Sequence, residues 1–299
     1  MKPARWKDLG QGVRRALTRL REAVRPQEPA QPKSSPKLGL ALGGGFARGM
    51  AHIGVIKALE KAGIPISYIA GTSVGSILAG AYASGATVEE MAAFGTKVRW
   101  HDFGKWTISK MGLASNNRLE AIVRQLFRAT RFEDLRIPLA IVAADLATGK
   151  PVVFTEGVLA LPIRASCAYP GLFLPIPHKG TFLVDGGLVR TVPTNSARDL
   201  GADIVLGVAL NNINPAYAPR HIADVLARSF SIAMQAAEPI WRRHADLIAE
   251  PRVETFGWDA FDHTPQLIEA GEESVHKILP QLRELMGMVP VTAKPPDPA

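Results

Sequence analysis

The chain contains a single cysteine, Cys167, so no intramolecular disulfide can form, and this suits a reducing compartment. No apolar run approaches the roughly 20 residues that a membrane-spanning helix needs. The N-terminus also lacks the apolar segment of a secretory signal. No cluster of histidine, cysteine or carboxylate residues has the spacing of a metal site. From these absences we expect a cytoplasmic protein without a metal ion or a cofactor.

Positive charge is concentrated at the N-terminus. Residues 1–37 hold ten Lys or Arg against three Asp or Glu, a net charge of +7, whereas the whole chain carries +8. Apolar residues recur there at intervals of three and four and so share one helical face: Trp6, Leu9, Val13, Leu17, Leu20 and Val24. Such a basic amphipathic helix is typical of a membrane-surface element, and we expect peripheral contact with the inner face of a membrane through residues 1–25.

Three other interpretations fit this segment. The helix could dock on the protein body, or the segment could be a disordered extension. Nucleic acid is a weaker alternative, because the arginines would bind phosphate backbones without sequence preference.

Prolines mark both ends of the main domain. Four of them follow the basic helix and predict an extended linker, so we take 1–37 as an N-terminal extension. Four more in 289–299 predict a disordered tail. Residues 38–288 lie between and form one predicted domain of a size usual for a large α/β unit.

Strand and helix patterns alternate along this domain. Strands are predicted at 38–42, 66–70, 139–144, 152–155, 182–184 and 204–210. Helices are predicted at 47–62, 73–84, 88–98, 118–129, 193–200, 222–243 and 266–286. Strands that are apolar throughout indicate burial on both faces, and hence a largely parallel sheet between helix layers.

Residues 71–75 read Gly-Thr-Ser-Val-Gly, a G-x-S-x-G pentapeptide between an apolar strand and a small-residue helix. This is the strand–turn–helix context of a nucleophile elbow, in which Ser73 projects from the sheet edge. Gly71 and Gly75 allow the two backbones to approach closely. The helix N-terminus favours developing negative charge beside the hydroxyl. We predict Ser73 as a nucleophile; the alternative is an ordinary glycine-containing turn.

Residues 43–49 read Gly-Gly-Gly-Phe-Ala-Arg-Gly and lie between the first strand and the first helix. Such a loop presents unpaired N–H groups that can hold an anion. The loop fails G-x-G-x-x-G at its last position, and no lysine follows for a P-loop, which disfavours a nucleotide site. We predict an oxyanion hole instead. Its predicted residues are Gly44, Gly45, Phe46 and Arg48, with Gly43 and Gly49 in support.

Asp185 follows the predicted strand at 182–184 and precedes Gly186 and Gly187. A carboxylate in this position is a candidate general base, although Asp-Gly is also frequent in ordinary turns. A carboxyl near its usual pKa of about 3.9 is a weak base at neutral pH. We therefore expect burial in an apolar site to raise the pKa of Asp185.

These three motifs, in this order, resemble the patatin-like phospholipase family, in particular its bacterial members related to neuropathy target esterase. The resemblance runs from residue 38 to about residue 210 and includes 51–60, 164–171 and 184–188. The family usually has glycine where this chain has Phe46. The residues of the loop that still match are Gly44, Gly45, Arg48 and Gly49.

The resemblance implies an α/β fold of three layers, α/β/α, with a mostly parallel central sheet. It also implies a serine lipid acyl hydrolase of the phospholipase A or lysophospholipase type. Because the sequence shows no pattern of a metal site, we expect this hydrolase to need no calcium. Ser73 and Asp185 would form a catalytic dyad acting through an acyl-enzyme, and Arg48 would orient the glycine loop or offset oxyanion charge. Phospholipids, lysophospholipids, monoacylglycerols and simple esters all share this chemistry.

Two alternative functions remain open at this point. The first is an α/β-hydrolase-type esterase, whose triad would combine Ser73 and Asp185 with a later histidine. The histidines available by order are His221, His244, His263 and His276. The second is a non-catalytic lipid-binding regulatory module.

Residues 100–106 carry two tryptophans and a phenylalanine among basic residues. This composition suits a lipid-facing surface, although aromatic residues between helices also pack into cores. No pattern in the sequence indicates an oligomeric state.

Overall fold

The computed structural model describes residues 35–210, 218–219 and 222–288. The predicted amphipathic helix, nearly all of the linker after it and the predicted tail lie outside these residues. Within the described ranges, none of the helices combines the length and apolar character that crossing a bilayer requires.

The described residues form ten strands. They are β1 (Leu38–Leu42), β2 (Ile66–Thr72), β3 (Lys105–Trp106), β4 (Ala114–Ser115), β5 (Leu139–Asp145), β6 (Pro151–Phe154), β7 (Ile176–His178), β8 (Thr181–Asp185), β9 (Ile204–Val208) and β10 (Leu247–Ala249). Eight of them build one sheet in the order β10-β9-β1-β2-β5-β8-β7, with β6 also paired to β5. β3 and β4 form a separate hairpin.

Parallel pairing dominates the centre of the sheet. The strands from β10 through β5 run parallel to their neighbours, whereas β6, β7 and β8 are antiparallel additions. β1 and β9 are buried along their whole length, which explains why their sequences are apolar at every position rather than at alternate ones. The predicted mostly parallel sheet is confirmed.

β2 and β8 meet end to end along one edge of β5. Thr72 pairs with Val142 in the parallel sense, and Asp185 pairs with Ala143, the next residue of β5, in the antiparallel sense. β6 pairs with both Val142 and Ala143, so it occupies the opposite edge of β5. The two strands therefore run toward each other, and their last residues arrive at the same height in the sheet.

Helices cover both faces of this sheet. They are α1 (Ala51–Lys61), α2 (Val74–Ser84), α3 (Val88–Lys97), α4 (Leu119–Leu126), α5 (Ala160–Ser166), α6 (Thr194–Asp199), α7 (Ile222–Ala236), α8 (Glu238–Arg242) and α9 (Thr264–Leu285). The larger core joins the sheet to α1, α2, α3 and α9. On the other face the strands present Ala41, Ala70 and Ala140, and these small side chains let α6 and α8 pack closely. The result is the predicted three-layer α/β/α architecture.

α1 and α9 cross at two glycines. An added Cβ at Gly54 would overlap the carbonyl oxygen of Ile268, and one at Gly271 would overlap the carbonyl oxygen of Ala51. The two helix backbones are therefore in direct contact, which only residues without a side chain permit. This crossing fixes the last described helix against the first.

The predicted strands all form, with ends that shift by one or two residues. The prediction of one helix over 222–243 is wrong. α7 ends at Ala236 and α8 begins at Glu238, because Pro239 in the first turn of α8 has no N–H with which to continue the α7 ladder. α5, β7, β10 and the β3–β4 hairpin were not predicted, since each is too short to show a periodic pattern.

Candidate active site

Ser73 stands on a sharp turn between β2 and α2. Its backbone has φ 53° and ψ −130°, a strained combination for a residue that carries a side chain. An added Cβ at Gly71 would overlap the Cα of Ser76, and one at Gly75 would overlap the carbonyl oxygen of Leu42. Both glycines are thus required by close backbone approach, as the nucleophile-elbow pattern predicts.

Ser73 and Asp185 are in direct contact. The Oγ of Ser73 donates a hydrogen bond to Oδ2 of Asp185 over 2.7 Å. The other carboxylate oxygen accepts a hydrogen bond from the N–H of Gly187 over 2.8 Å. Gly186 passes so close to β5 that an added Cβ would overlap the carbonyl oxygen of Val142. The head-on meeting of β2 and β8 is what brings the two side chains together.

The environment of Asp185 makes its carboxylate a stronger base than usual. The side chain is 4% exposed. This burial raises the pKa of Asp185 to about 6, while the hydrogen bonds from Gly187 and Ser73 act in the opposite direction. A carboxylate with that pKa is ionised at neutral pH and still accepts a proton more readily than an exposed one.

The glycine loop, residues 43–49, passes next to Ser73. An added Cβ at Gly44 would lie 3.3 Å from the Cβ of Ser73. The N–H of Gly44 donates to the carbonyl of Thr191 over 3.2 Å, so this group reaches an oxyanion only if that hydrogen bond is given up. Among the described residues, no acceptor lies on the N–H of Gly45 or Phe46. These two groups remain available to an oxyanion.

Phe46 and Arg48 have distinct surroundings within the loop. Phe46 adopts φ 53°, a left-handed conformation that glycine takes without strain, at the position where the resemblance leads one to expect glycine. The Nε of Arg48 donates to the carbonyl of Phe256 over 2.9 Å. This contact favours an Arg48 role in orienting the loop over a role in offsetting oxyanion charge. At the end of the loop, an added Cβ at Gly49 would overlap the Val74 side chain, so glycine there lets the loop lie against α2.

His52 contacts the start of the glycine loop through a hydrogen bond. Its imidazole is fully buried, and Nε2 lies 2.8 Å from the carbonyl oxygen of Gly43. Burial lowers the pKa of His52 to about 4, so the ring is neutral at pH 7 and donates its Nε2–H to that carbonyl. Within the described residues, Nδ1 has no hydrogen-bond partner. His52 could not be recognised from the sequence, because a lone histidine in a helix has no distinctive pattern.

Three further hydroxyl groups brace the elbow. Ser166 accepts from the N–H of Ser73 over 2.8 Å and donates to the carbonyl of Val142 over 2.6 Å, which ties the turn to β5. The hydroxyl of Ser76 donates to the carbonyl of Ser73, and that of Thr72 donates to the carbonyl of Arg190. Ser166 lies in a segment that carried the family resemblance, but its partners are distant in sequence and so could not be predicted.

A cluster of aromatic rings lies beside the oxyanion loop. We call it the aromatic cluster; its members are Phe46, Trp100, Phe103, Tyr169, Phe173, Phe230, Trp258 and Phe261. The ring of Phe46 lies 5.0 Å from that of Tyr169. Burial, together with the charge of Asp185, raises the pKa of Tyr169 to about 12. The N–H of Asp185 donates to the carbonyl of Ala168, the residue before Tyr169, which places the cluster beside the carboxylate. The cluster therefore forms an apolar wall next to the Ser73–Asp185 pair.

The direct hydrogen bond from Ser73 to Asp185 bears on the alternative of a Ser-Asp-His triad. In a triad the imidazole lies between the serine and the carboxylate, whereas here the two side chains touch. None of the described histidines hydrogen-bonds to either residue. His221 lies outside the described residues. In the described part of the chain, no group of three His, Cys, Asp or Glu side chains is placed to hold a metal ion.

The chain is similar to several known proteins. An uncharacterized NTE family protein of Mycobacterium tuberculosis is 38% identical over 181 residues, which cover 60% of this chain and 50% of the relative. A protein of Aspergillus fumigatus named lysophospholipase nte1 is 31% identical over 201 residues, which cover 65% of this chain and 13% of that protein. Among solved structures, VipD from Legionella pneumophila aligns over 83% of this chain and 67% of its own, with 13% identity and a TM-score of 0.49.

This chain spans half the length of the mycobacterial relative and a smaller part of the fungal one. The sequence model of the family described as patatin-like phospholipase matches residues 40–198, just over half of the 299 residues. That range contains the glycine loop, the elbow and the Asp185 turn, and it confirms the resemblance inferred from these motifs. The chain belongs to the patatin-like phospholipase family.

Proposed function

We propose that this chain hydrolyses carboxylic esters of lipids through an acyl-enzyme formed on Ser73, with Asp185 as the only base. The observation that carries the proposal is the 2.7 Å hydrogen bond from the serine hydroxyl to a buried carboxylate. A serine needs a partner that takes its proton during attack on an ester, and this carboxylate is already in place to do so.

In the first half of the reaction, Ser73 Oγ attacks the ester carbonyl carbon while its proton passes to Oδ2 of Asp185. The carbonyl oxygen becomes an oxyanion, which the N–H groups of Gly45 and Phe46 and the N-terminus of α2 stabilise. The tetrahedral intermediate then collapses. Asp185 returns the proton to the departing alcohol oxygen, and the acyl group stays on Ser73.

In the second half, a water molecule takes the place of the alcohol. Asp185 accepts a proton from the water as its oxygen attacks the acyl carbonyl, and the same N–H groups hold the second oxyanion. Collapse of this intermediate releases the fatty acid and returns the proton to Ser73 Oγ. One carboxylate thus serves as base and then acid in each half.

The aromatic cluster supports an acyl chain as the part of the substrate held next to Ser73. Phe46 lies in the oxyanion loop, and the ring of Tyr169 lies 5.0 Å from its ring, so the cluster offers apolar surface and few hydrogen-bond partners there. The fungal relative carries the name of a lysophospholipase. We therefore propose phospholipids and lysophospholipids as the substrate class.

Product analysis tests the proposal. The purified chain is incubated with a mixed phospholipid extract, and products are identified by mass spectrometry, with the Ser73→Ala variant as the blank. Released fatty acid with the matching lysophospholipid is the expected result. Release from lysophospholipids alone would narrow the substrate class, and no release from any lipid or soluble ester would favour the lipid-binding module instead.

The reaction should lose rate on the acid side of pH 6. Because the pKa of Asp185 is raised to about 6, its carboxylate is protonated below that pH and cannot accept the serine proton. We expect kcat/KM for a short water-soluble ester to be half-maximal near pH 6, to fall about tenfold per pH unit below it and to level off above it. A rate that stays constant down to pH 4 would show that this carboxylate is not the base.

A further inference from the structure

The β3–β4 hairpin projects an apolar tip from the protein. Lys105 pairs with Ser115 and Trp106 with Ala114, and the loop between the strands is closed by a bond from the Thr107 N–H to the Leu113 carbonyl. Four large apolar side chains of this short segment are exposed to solvent. They are Trp106 at 70%, Ile108 fully, Met111 at 50% and Leu113 at 56%. Single exposed apolar residues are common, but four within eight positions form a patch that needs a partner.

The charge around this tip has one sign. Residues 97–118 contain five Lys or Arg and a single acidic residue, Asp102. Lys105 lies next to Trp106, and Lys110 lies between Ile108 and Met111. Both lysines are exposed, and neither has an ion-pair partner among the described residues. An apolar tip with lysines beside it is complementary to a surface that is anionic outside and apolar beneath.

The base of the hairpin is bonded to the wall of the candidate active site. The N–H groups of Leu113 and Ala114 donate to the carbonyl of Leu172, and the N–H of Leu174 donates to the carbonyl of Ala114. Within that same segment the N–H of Phe173 donates to the carbonyl of Tyr169, a member of the aromatic cluster. Hairpin and cluster are therefore parts of one continuous hydrogen-bonded unit.

We propose that the hairpin of residues 105–115 inserts its apolar tip into an anionic membrane surface, with Lys105 and Lys110 contacting lipid headgroups. Lipid leaving the membrane then meets the aromatic cluster before it meets Ser73. This last step rests on the proposed function, whereas membrane binding does not. The occupant is a lipid surface rather than a second copy, because lysines on both copies would repel each other across a symmetric contact.

Vesicle sedimentation of the full chain tests the inference. Ile108→Asp places a charge where the side chain has no protein contact, so the fold is retained. We expect its partition onto phosphatidylcholine–phosphatidylglycerol vesicles to fall at least about tenfold, because the tip can no longer enter the apolar layer. The control Leu285→Asp changes an exposed leucine near the end of α9 in the same way and should bind as the unaltered chain does.

A second measurement locates the contact independently of the rest of the chain. Lipids brominated on the acyl chain quench tryptophans that reach the apolar layer. We expect the unaltered chain to be quenched on vesicles and Trp106→Phe to lose a large part of that quenching. Equal partition of the Ile108→Asp and Leu285→Asp variants, or unchanged quenching in Trp106→Phe, overturns the inference. Self-association that Ile108→Asp abolishes, without vesicle binding, would assign the tip to a second copy.

Turnover of a soluble ester keeps the two proposals apart. Ile108→Asp should hydrolyse a short ester as fast as the unaltered chain, because Ile108 touches no residue of the site. If Ile108→Asp weakens vesicle binding as expected but neither protein cleaves any ester, the hairpin inference stands and the proposed function fails. If both proteins cleave the ester but bind vesicles equally well, the proposed function stands and the hairpin inference fails.

Discussion

Replacement of Ser73 by Ala should remove ester hydrolysis altogether. The substitution deletes the only atom that can form the acyl-enzyme, and loss of a catalytic nucleophile costs at least about 10⁴-fold in kcat. The measurement is kcat for a short soluble ester, together with labelling by a fluorophosphonate followed by intact-protein mass spectrometry. We expect neither turnover nor labelling in the variant.

The control for this experiment is Ser229→Ala, which alters an exposed serine whose hydroxyl bonds only to a carbonyl of its own helix, α7. It should react and label as the unaltered chain does. Thermal unfolding of both variants checks that the fold is retained, as we expect, because alanine at position 73 keeps the same backbone conformation. Undiminished labelling of folded Ser73→Ala protein would assign the nucleophile elsewhere.

Replacement of Asp185 by Asn should lower kcat by about 10³- to 10⁴-fold, since residues that act as one catalytic unit each carry most of its effect. The amide cannot take the serine proton, although its oxygen can still accept the hydrogen bond from the Gly187 N–H.

The same substitution should raise the stability of the folded protein at pH 8. A carboxylate whose pKa is raised to about 6 is held in an unfavourable ionised state at pH 8, and the neutral amide removes that cost. The checks are kcat at pH 8 and the unfolding temperature at pH 8.

Histidine replacements serve as the comparison for Asp185→Asn. Each of the four candidate histidines is changed singly to Ala, and kcat should change less than about tenfold because a dyad has no imidazole step. They are His221, His244, His263 and His276. A histidine variant as slow as Asp185→Asn would establish a triad and contradict the direct proton transfer proposed here.

The sequence was sufficient to predict that Ser73 and Asp185 each follow a buried strand beside glycines. It could not show how the two strands are placed, because 112 positions separate the residues and strand order depends on non-local pairing. The antiparallel entry of β8 along the β2 edge of β5 is a property of the sheet as a whole. Ser166 and His52 were missed for the same reason: each acts through a partner that only the folded chain supplies.

Phe46 shows a different limit of the sequence argument. The resemblance leads one to expect glycine at position 46, yet the phenylalanine there takes up the left-handed conformation that a glycine would favour. Contacts of its ring with Trp100, Tyr169 and Trp258 give a physical reason, since burial against several rings can offset backbone strain of about 1–3 kcal/mol. Those partners come from three separate connections and have no common pattern along the chain.

The contact between Gly54 and Gly271 has a consequence for how the chain is made. β1 lies between β2 and β9, and α1 is covered by α9, so the first described strand and helix are completed only by segments that follow much later in the chain. A nascent chain that has reached residue 198 holds the whole family-matched range but exposes one edge of β1 and one apolar face of α1. Open strand edges and bare apolar faces are sites of aggregation, and closing such distant contacts is slow. We therefore expect the emerging chain to be prone to aggregation until α9 has been made and packs on α1.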